Sequence, residues 1–358
     1  MIKPGNIGRE MLFKSLKDTI AQEIRERKLA PGTPILSTIQ MSKKHHVSFV
    51  TANRAINELV KDGVLRRKRG SGTFVAGPEE AAVNLTLYLN GLDYESQKIT
   101  QANSWFVIER LQKGIINAYP GSVKIGTEKE ILQRALDGER FCAVLYNSGL
   151  PPVETLEKAG VPNVLVDYGD YLCLKNNSVR MESAFGAYAL MAYLMGTLGH
   201  RRIGYIGGGM DRYHAARYAM YETAFRAFNL PFEAKYVTRG LEGHEPDGYE
   251  AMRRLLAMPD PPSVVFGSTD LLALGAVRAA KDAGLRVPED ISVAGFDDNP
   301  ILMNFSPPLT TVSVPQDKIG RTAVEMLLER IRTGKDVETR IINSHLIIRE
   351  SCAHAKQT

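Results

Sequence analysis

The chain has 358 residues, 44% of them hydrophobic and 24% charged, which suits two or three domains of ordinary globular composition. No apolar stretch is long enough to span a bilayer, and the first ten residues lack a signal-peptide core, so we expect a cytoplasmic protein. Cys142, Cys173 and Cys352 lie far apart without a Cys-x-x-Cys pair. Their spacing argues against a zinc cluster or a disulfide framework and fits a reducing compartment.

The charge is unevenly distributed along the chain. Residues 1–78 contain 15 Lys/Arg and 6 Asp/Glu, a balance of +9. The remaining 280 residues contain 30 Lys/Arg and 34 Asp/Glu, a balance of −4, and the two parts give the net +5. A basic segment attached to a slightly acidic one indicates a polyanionic partner for the first part, although a solvated basic face would also explain the charge.

A helix is predicted over residues 10–29, and the stretch APGTP then ends it, because proline lacks an amide donor and glycine relaxes the backbone. Its apolar stripe is Leu12, Phe13, Leu16, Ile20 and Ile24.

Two shorter helices are predicted next, one capped by Ser37 and running through His45, the other capped by Ser48 and ended by Gly63. The inward face of the second is predicted to be Ala52, Ala55, Ile56 and Leu59. The stretch VLRRKRGSGTFVA then indicates two short strands around a basic glycine turn, Gly70 to Gly72. Three helices and a basic hairpin predict a winged helix-turn-helix, with the third helix in the major groove and the wing on phosphates or the minor groove.

Residues 10–77 resemble the GntR family of bacterial regulators on the motifs LAPGTPI, MSKKHHVSFVTANRAINELVKDGVL and GSGTFV. The family usually has arginine where this chain has Phe49 and Asn53, and Ile39 replaces a third polar contact. Phe49 suits a thymine methyl, and Asn53 suits a bidentate pair with adenine. The predicted DNA-binding residues are Ser37, Lys43, Ser48, Phe49, Thr51, Asn53, Arg54, Arg66, Arg67, Lys68, Arg69, Gly72 and Thr73.

From about residue 83 the chain alternates short, β-branched apolar runs with helical stretches. This alternation predicts an α/β fold with parallel sheets covered on both faces, and 280 residues exceed one sheet unit, so two lobes are expected. The predicted strands lie in VNLTLYLN, FCAVLYN, PNVLVDYG, RRIGYIGGG, PSVVFGS and DISVAGFDD, and the predicted helices are 105–118, 128–137, 183–198, 215–228, 247–257 and 270–283.

Residues 83–350 resemble the effector domain of the LacI/GalR regulators, related in fold to periplasmic sugar-binding proteins. The motifs are LGHRRIGYIGG, STDLLALGAVRAAKDAGLRVPEDISVAGFDD and PPLTTVSVPQDKIGRTAVEMLLERI. The resemblance implies two lobes with a ligand in the cleft, and the combination is similar to the arabinose-responsive repressors. The predicted parts are a DNA-binding domain at 1–78, a linker at 79–84 and an effector-binding and dimerisation domain at 85–352, with lobe 1 at about 85–167 and 298–332 and lobe 2 at about 168–297 and 333–352.

Ligands of open α/β sheets bind outside the carboxyl ends of the strands, which selects four polar residues that follow predicted strands. The resemblance adds an arginine matching the family's sugar-hydroxyl donor and a threonine in place of its ligand-binding asparagine. Carboxylates and amides engage adjacent hydroxyls and arginine offers a planar donor fork, so a sugar or derivative is expected. The predicted effector-binding residues are Asn90, Asn147, Asp167 and Asp297 from the strands, and Arg217 and Thr269 from the resemblance.

Other features have less specific interpretations. Asp270 is interpreted as a helix N-cap rather than a ligand contact. The pair Asp297–Asp298 is interpreted as a binding or hinge site, because no nucleophile or metal-spaced histidine accompanies it. The stretch GYIGGG lacks G-x-G-x-x-G spacing and is interpreted as a tight strand-to-helix turn. We predict no catalytic residue, no metal and no cofactor.

The sequence therefore predicts a bacterial transcription regulator, a repressor rather than an enzyme. A homodimer would present two heads to a pseudo-palindromic double-stranded operator, controlled by a small polar ligand between the lobes. The alternative is a sugar-modifying enzyme on a two-lobed α/β scaffold with a DNA-binding appendage, which turnover of a bound sugar would reveal. A periplasmic solute-binding protein is disfavoured by the basic head and the lack of a signal peptide.

Overall fold

The computed structural model describes residues 5–68, 71–77, 85–90, 102–146, 150–167, 176–208, 212–302 and 305–356. The described residues do not include some of the predicted features, namely the linker, Arg69, Gly70, Asn147 and Cys173. No described helix is both long and apolar enough to cross a membrane.

The amino-terminal segment forms the predicted three helices and hairpin. The helices are α1 (Gly5–Glu26), α2 (Thr38–Lys44) and α3 (Phe49–Lys61), and the hairpin strands are β1 (Leu65–Lys68) and β2 (Gly72–Val75). The hairpin is antiparallel, with Arg67 opposite Thr73 and Lys68 opposite Gly72. The described residues 5–68 and 71–75 therefore form a winged helix-turn-helix.

The core of this head joins one face of α1 to one face of α3. Phe13, Leu16 and Ile20 pack against the predicted inward residues of α3, which are all at most 1% exposed. The prediction for Leu12 is wrong, because its side chain is 54% exposed. Residues four apart drift about 40° around a helix. Leu12 therefore falls outside the arc that contains Phe13, Leu16 and Ile20.

The remaining elements alternate as expected for an α/β chain. In chain order they are β3 (Thr86–Asn90), α4 (Ala102–Ala118), β4 (Val123–Gly126), α5 (Glu128–Leu136), β5 (Phe141–Tyr146), α6 (Leu150–Lys158), β6 (Asn163–Asp167), β7 (Ser178–Glu182), α7 (Ala184–Ala192), β8 (Ile203–Gly208), α8 (Arg212–Ala227), β9 (Val237–Leu241), α9 (Glu245–Leu256), β10 (Val264–Gly267), α10 (Asp270–Asp282), β11 (Ser292–Ala294), β12 (Thr311–Ser313), α11 (Gln316–Thr333), β13 (Arg340–Asn343) and β14 (His345–Ile347). A π-helical turn, Tyr193–Thr197, extends α7.

The chain forms two compact units. The first comprises Met1–Gly91, Ile116–Leu165 and Ala323–Glu338, and the second comprises Leu92–Ile115, Val166–Thr322 and Thr339–Thr358. In the first unit, β3 lies between β5 and β4, and all three strands are parallel. The predicted domain and lobe boundaries stay a prediction.

The second unit contains a parallel sheet in the order β11-β10-β8-β9. The helices α9 and α10 cover it with an apolar cluster that includes Met252, Leu255, Ala276 and Val277. All strands of a parallel sheet end at the same edge, so the segments after β8, β10 and β11 lie near one another. This edge carries the candidate ligand residues described below.

Candidate functional site

The helix-turn-helix is held by side-chain caps. The Ser37 hydroxyl accepts a hydrogen bond from the Gln40 amide, and the Gln40 side chain accepts one from the Ser37 amide. The Ser48 hydroxyl accepts from the Thr51 amide at 3.1 Å. The Ser42 hydroxyl donates to the Val47 carbonyl at 2.6 Å, which fixes the turn between α2 and α3. Ser37 and Ser48, two of the predicted DNA contacts, therefore also begin the two helices.

The outer face of α3 begins with two apolar side chains. Phe49 is 54% exposed and Val50 is 74% exposed, and Ile39 at the start of α2 is 60% exposed. Asn53 lies one turn after Phe49 and is partly buried; its Oδ1 accepts a hydrogen bond of 2.7 Å from Nη2 of Arg67 in the wing. The structure thus brings two predicted DNA-binding residues, Asn53 and Arg67, into contact.

The other predicted cations of the head differ in their surroundings: two lie over aromatic rings and two are exposed. The Arg54 guanidinium lies 4.2 Å from the centroid of Phe13, and that of Arg66 lies 5.6 Å from the centroid of Phe74. Both charges are thus stacked on aromatic rings of the head itself. Lys43 and Lys68 are exposed.

The wing places its last two predicted contacts on β2. Gly72 has a φ of +119°, which glycine adopts without a Cβ penalty, and Thr73 is partly buried. Thr73 lies opposite Arg67, so β2 pairs directly with the strand that carries Arg66, Arg67 and Lys68.

The second unit contains a buried ion pair at the carboxyl edge of its sheet. Nη2 of Arg217, on α8, donates to Oδ1 of Asp297, after β11, at 2.9 Å, and the two side chains are 7% and 8% exposed. Nη1 of Arg217 donates to the Ser268 carbonyl after β10. The guanidinium carbon lies 3.7 Å from the centroid of Phe296. Residues that follow two strands, β10 and β11, therefore hold the Arg217 guanidinium in a fixed plane.

One donor of this guanidinium is not used. Nε of Arg217 is buried and has no hydrogen-bond partner among the described residues. An unpaired buried N–H costs about 1–3 kcal/mol, a cost that a hydrogen-bond acceptor beside Nε of Arg217 would offset.

Burial controls the protonation of the two carboxyl groups near Arg217. Burial raises the pKa of Asp297, and Arg217 opposes this increase through its charge and hydrogen bond. Burial and, second, the negative charge of Asp297 raise the pKa of Asp270 well above its usual range. The Asp270 carboxyl accepts from the Thr311 hydroxyl at 2.6 Å and from the Asn299 amide at 2.7 Å, so it braces the edge of the sheet.

The N-cap prediction for Asp270 is wrong, because Thr269 is the cap of α10. Thr269 has extended dihedral angles, φ −137° and ψ 160°, and its hydroxyl accepts from the Leu272 amide at 3.3 Å. Asp270 is the first helical residue and is completely buried. The hydroxyl oxygen of Thr269, predicted as an effector contact, is therefore used for capping.

Sequence reasoning missed three residues of this site: His214, Ser268 and Phe296. Nδ1 of His214 lies 2.8 Å from the Ser268 hydroxyl, which also accepts from the Gly208 amide at 3.1 Å. A Cβ on Gly208 would lie 2.3 Å from Nε2 of His214, so the strand end must be glycine to admit the imidazole. Ser268 directly follows β10, and the rule that selected Asp297 would also have selected it. No local pattern indicated His214.

Three predicted ligand residues remain, which are Asn90 in the first unit, Asp167 in the second unit, and Asn147. The Asn90 side chain donates to the Tyr146 carbonyl at 3.0 Å and accepts from the Tyr146 amide at 2.5 Å. It thereby joins the ends of β3 and β5, which is a structural role. Asp167 ends β6, but its side chain lies outside the description, as does all of Asn147. All three stay predictions as ligand contacts.

A groove of about 900 Å³ lies at the opposite, amino-terminal edge of the second unit's sheet. Its walls include Arg202 before β8 and Ser263 before β10. Buried His200 lines it with both ring nitrogens occupied, by the Ser263 hydroxyl at 2.8 Å and the Ala353 carbonyl at 3.0 Å. The groove therefore lies at the opposite edge of the sheet from Arg217 and its Nε donor. Within the described residues, no group of three His, Cys, Asp or Glu could hold a metal ion.

Comparison with protein families matches both parts of the chain. Residues 12–75 match the bacterial regulatory proteins of the gntR family, and residues 194–352 match the periplasmic binding protein-like domain. The predicted combination of a GntR-type helix-turn-helix with a LacI-type domain, and the predicted α/β fold class, are confirmed. The likeness to arabinose-responsive repressors stays a prediction.

The chain is similar to curated transcriptional repressors over part of its length. It is 35% identical over 214 residues to the HTH-type transcriptional repressor PurR of Histophilus somni (strain 129Pt), covering 59% of this chain and 62% of that protein. It is 36% identical over 227 residues to PurR of Klebsiella pneumoniae (strain 342), covering 62% of this chain and 64% of that protein. The chain thus spans less than two thirds of these relatives.

Solved structures show the same likeness. A regulatory protein of the LacI family from Chloroflexus aggregans is 25% identical, with a TM-score of 0.62, over 75% of this chain and 99% of that chain. The transcriptional regulator CelR–cellobiose complex is 25% identical, with a TM-score of 0.59, over 85% of this chain and 90% of that chain.

Proposed function

We propose that this chain, which joins a GntR-type DNA-binding head to a LacI-type domain, is a bacterial transcription repressor whose affinity for DNA is controlled by a small polar ligand. The repressors among its relatives and the basic winged head support the DNA-binding part. The buried Arg217–Asp297 pair with its unused Nε donor carries the ligand-binding part.

A sugar or sugar derivative is the ligand class that we propose. A ring hydroxyl can accept from Nε of Arg217 and donate to Asp297, which a purely apolar or cationic molecule cannot do. Phe296, beneath the guanidinium, gives the site an apolar floor. The cellobiose in the CelR complex supports the class. Asn90, Asn147, Asp167 and Thr269 complete the proposed contacts.

Regulation follows from linkage between the two sites. The ligand changes DNA affinity only by binding one conformation of the protein more tightly than another, and DNA must alter ligand affinity by the same factor. We propose a cytoplasmic homodimer on a pseudo-palindromic operator, because one small head buries little DNA surface and two-fold symmetry doubles the contacts. A chain that sediments as a monomer on its enriched duplex would contradict this assembly.

The first experiment screens the full chain by thermal shift against sugars, sugar phosphates, polyols and nucleotides. A ligand that binds only the folded state raises the melting temperature by mass action. The shift should disappear in Arg217→Ala and persist in Asp260→Ala, a matched surface control whose carboxylate pairs with exposed Lys235 at 2.8 Å. If no compound shifts the wild type, or if Arg217→Ala keeps the shift, the proposed ligand site is wrong.

A compound that shifts the melting temperature can then test two further points, which are its effect on DNA binding and the enzyme alternative. Fluorescence anisotropy on a duplex enriched from a random library should give a Kd that changes when the hit is added. In the reciprocal titration, the ligand is added to the protein with and without the duplex. The duplex should change the Kd of the ligand by the same factor by which the ligand changes the Kd of the duplex. NMR of the hit after hours with the protein should show it unchanged, since we propose a regulator. Its conversion would instead support the sugar-modifying enzyme.

A further inference from the structure

The head presents large apolar side chains to solvent on its proposed DNA-binding face. Ile39 is the second residue of α2, and Phe49 and Val50 are the first two of α3, each more than half exposed. We call these three the apolar reading residues. Exposed large apolar side chains gathered on one functional face mark a contact with a partner.

The charge around these residues selects the partner. From Arg27 to Asn57 the sequence contains no Asp or Glu, and Lys43 near the end of α2 is exposed, whereas Lys44 beside it pairs with Glu23 at 2.9 Å. A second copy of the same face would bring two Lys43 side chains together on a surface segment without carboxylates, which opposes self-association. A DNA major groove instead combines flanking phosphates with one apolar base group, the C5-methyl of thymine.

The hydrogen bond from Arg67 determines which group of the Asn53 side chain is left for DNA; Asn53 lies one turn after Phe49. Arg67 can only donate, so the Asn53 atom at 2.7 Å from it must be the amide oxygen, and Nδ2 is the group left to donate to DNA. A donor beside apolar side chains matches thymine, whose O4 acceptor adjoins its methyl group. A bidentate pair with adenine would require Oδ1 to accept a second hydrogen bond while Arg67 keeps the first.

We propose that this head recognises thymine by its C5-methyl group, through Phe49 and Val50 at the start of α3 with Ile39 of α2 as the third apolar reading residue, and that Asn53 donates to a thymine O4. The hydrogen bond from Arg67 in the wing orients the Asn53 side chain for this contact. This inference rests on the proposed DNA-binding function and specifies which base it reads.

The test removes single methyl groups from DNA. A duplex is enriched from a random library with the full chain, and each thymine is then replaced in turn by deoxyuridine, which lacks only the C5-methyl. Loss of one buried methyl should weaken binding about fourfold. We expect this loss at one or two thymines per half-site, measured by anisotropy at fixed salt, because phosphate contacts are salt-dependent.

The protein variants identify which side chain reads the methyl. In Phe49→Ala the affinity for the thymine duplex should fall, and the deoxyuridine effect should disappear at one position. Phe185→Ala removes a phenylalanine that is 60% exposed on α7 and should keep every deoxyuridine effect. Phe49 is exposed, so its variant should fold, and circular dichroism would check this.

Two results separate the possible failures. An enriched duplex with no deoxyuridine effect, or with the same effect in Phe49→Ala and Val50→Ala, would overturn thymine recognition while leaving the DNA-binding proposal intact. Failure to enrich any sequence would overturn the DNA-binding proposal and this inference with it.

Discussion

Removing one partner of the Arg217–Asp297 ion pair should destabilise the second unit strongly. The pair spans 2.9 Å, and both side chains are less than a tenth exposed. In Asp297→Ala the guanidinium would stay buried without its counter-ion, and its Nε has no hydrogen-bond partner in the part of the chain that the structure describes. Breaking a buried ion pair from one side costs about 3–5 kcal/mol, so we expect a loss of that size in the free energy of unfolding.

Urea unfolding followed by circular dichroism measures this loss. Asp260→Ala is the matched control, and its loss should be much smaller, because Asp260 and Lys235 are about half exposed. The double variant Arg217→Met with Asp297→Leu should recover most of the stability, since apolar residues of similar volume can replace a buried pair. If Asp297→Ala unfolds within about 1 kcal/mol of the wild type, water reaches the guanidinium and the buried-pair reasoning is wrong.

Three further changes test the surroundings of this pair. Thr269→Ala should cost about 1 kcal/mol in urea unfolding through loss of the α10 cap, whereas Thr269→Ser should be nearly neutral. Asp270 has a folded-state pKa raised by burial and by Asp297, so its contribution to stability is present below the ordinary aspartate pKa and is lost as pH rises through the raised value. Asp270→Asn should flatten that pH dependence, and an unchanged slope would contradict it. Gly208→Ala should displace His214, because the new Cβ would lie 2.3 Å from its ring, and should weaken ligand binding in the thermal-shift assay.

Sequence patterns located the elements but not the partners within the site. The caps Ser37 and Ser48 predicted the starts of α2 and α3, because an N-cap acts within three residues of itself. The strand-end rule selected Asp297, and the family resemblance selected Arg217. Strands such as β4 and β9 went unpredicted, because VKIG and VTRGL are short and carry charges within the run.

The sequence by itself determined the order of head and α/β domain, the charge asymmetry and most element boundaries, since these depend on composition and on neighbours a few residues apart. Only the tertiary structure decided which groups meet. Arg217 and Asp297 are 80 positions apart in the chain, and Asn53 and Arg67 are 14 apart across the wing. The tertiary structure also decided that Thr269 rather than Asp270 caps α10. The Asp270 carboxyl is buried at the edge of the sheet, where it accepts a hydrogen bond from the Thr311 hydroxyl, and the Thr269 hydroxyl accepts from the Leu272 amide. Burial of such groups sets their hydrogen bonds and pKa values, and burial is a property of the packed fold.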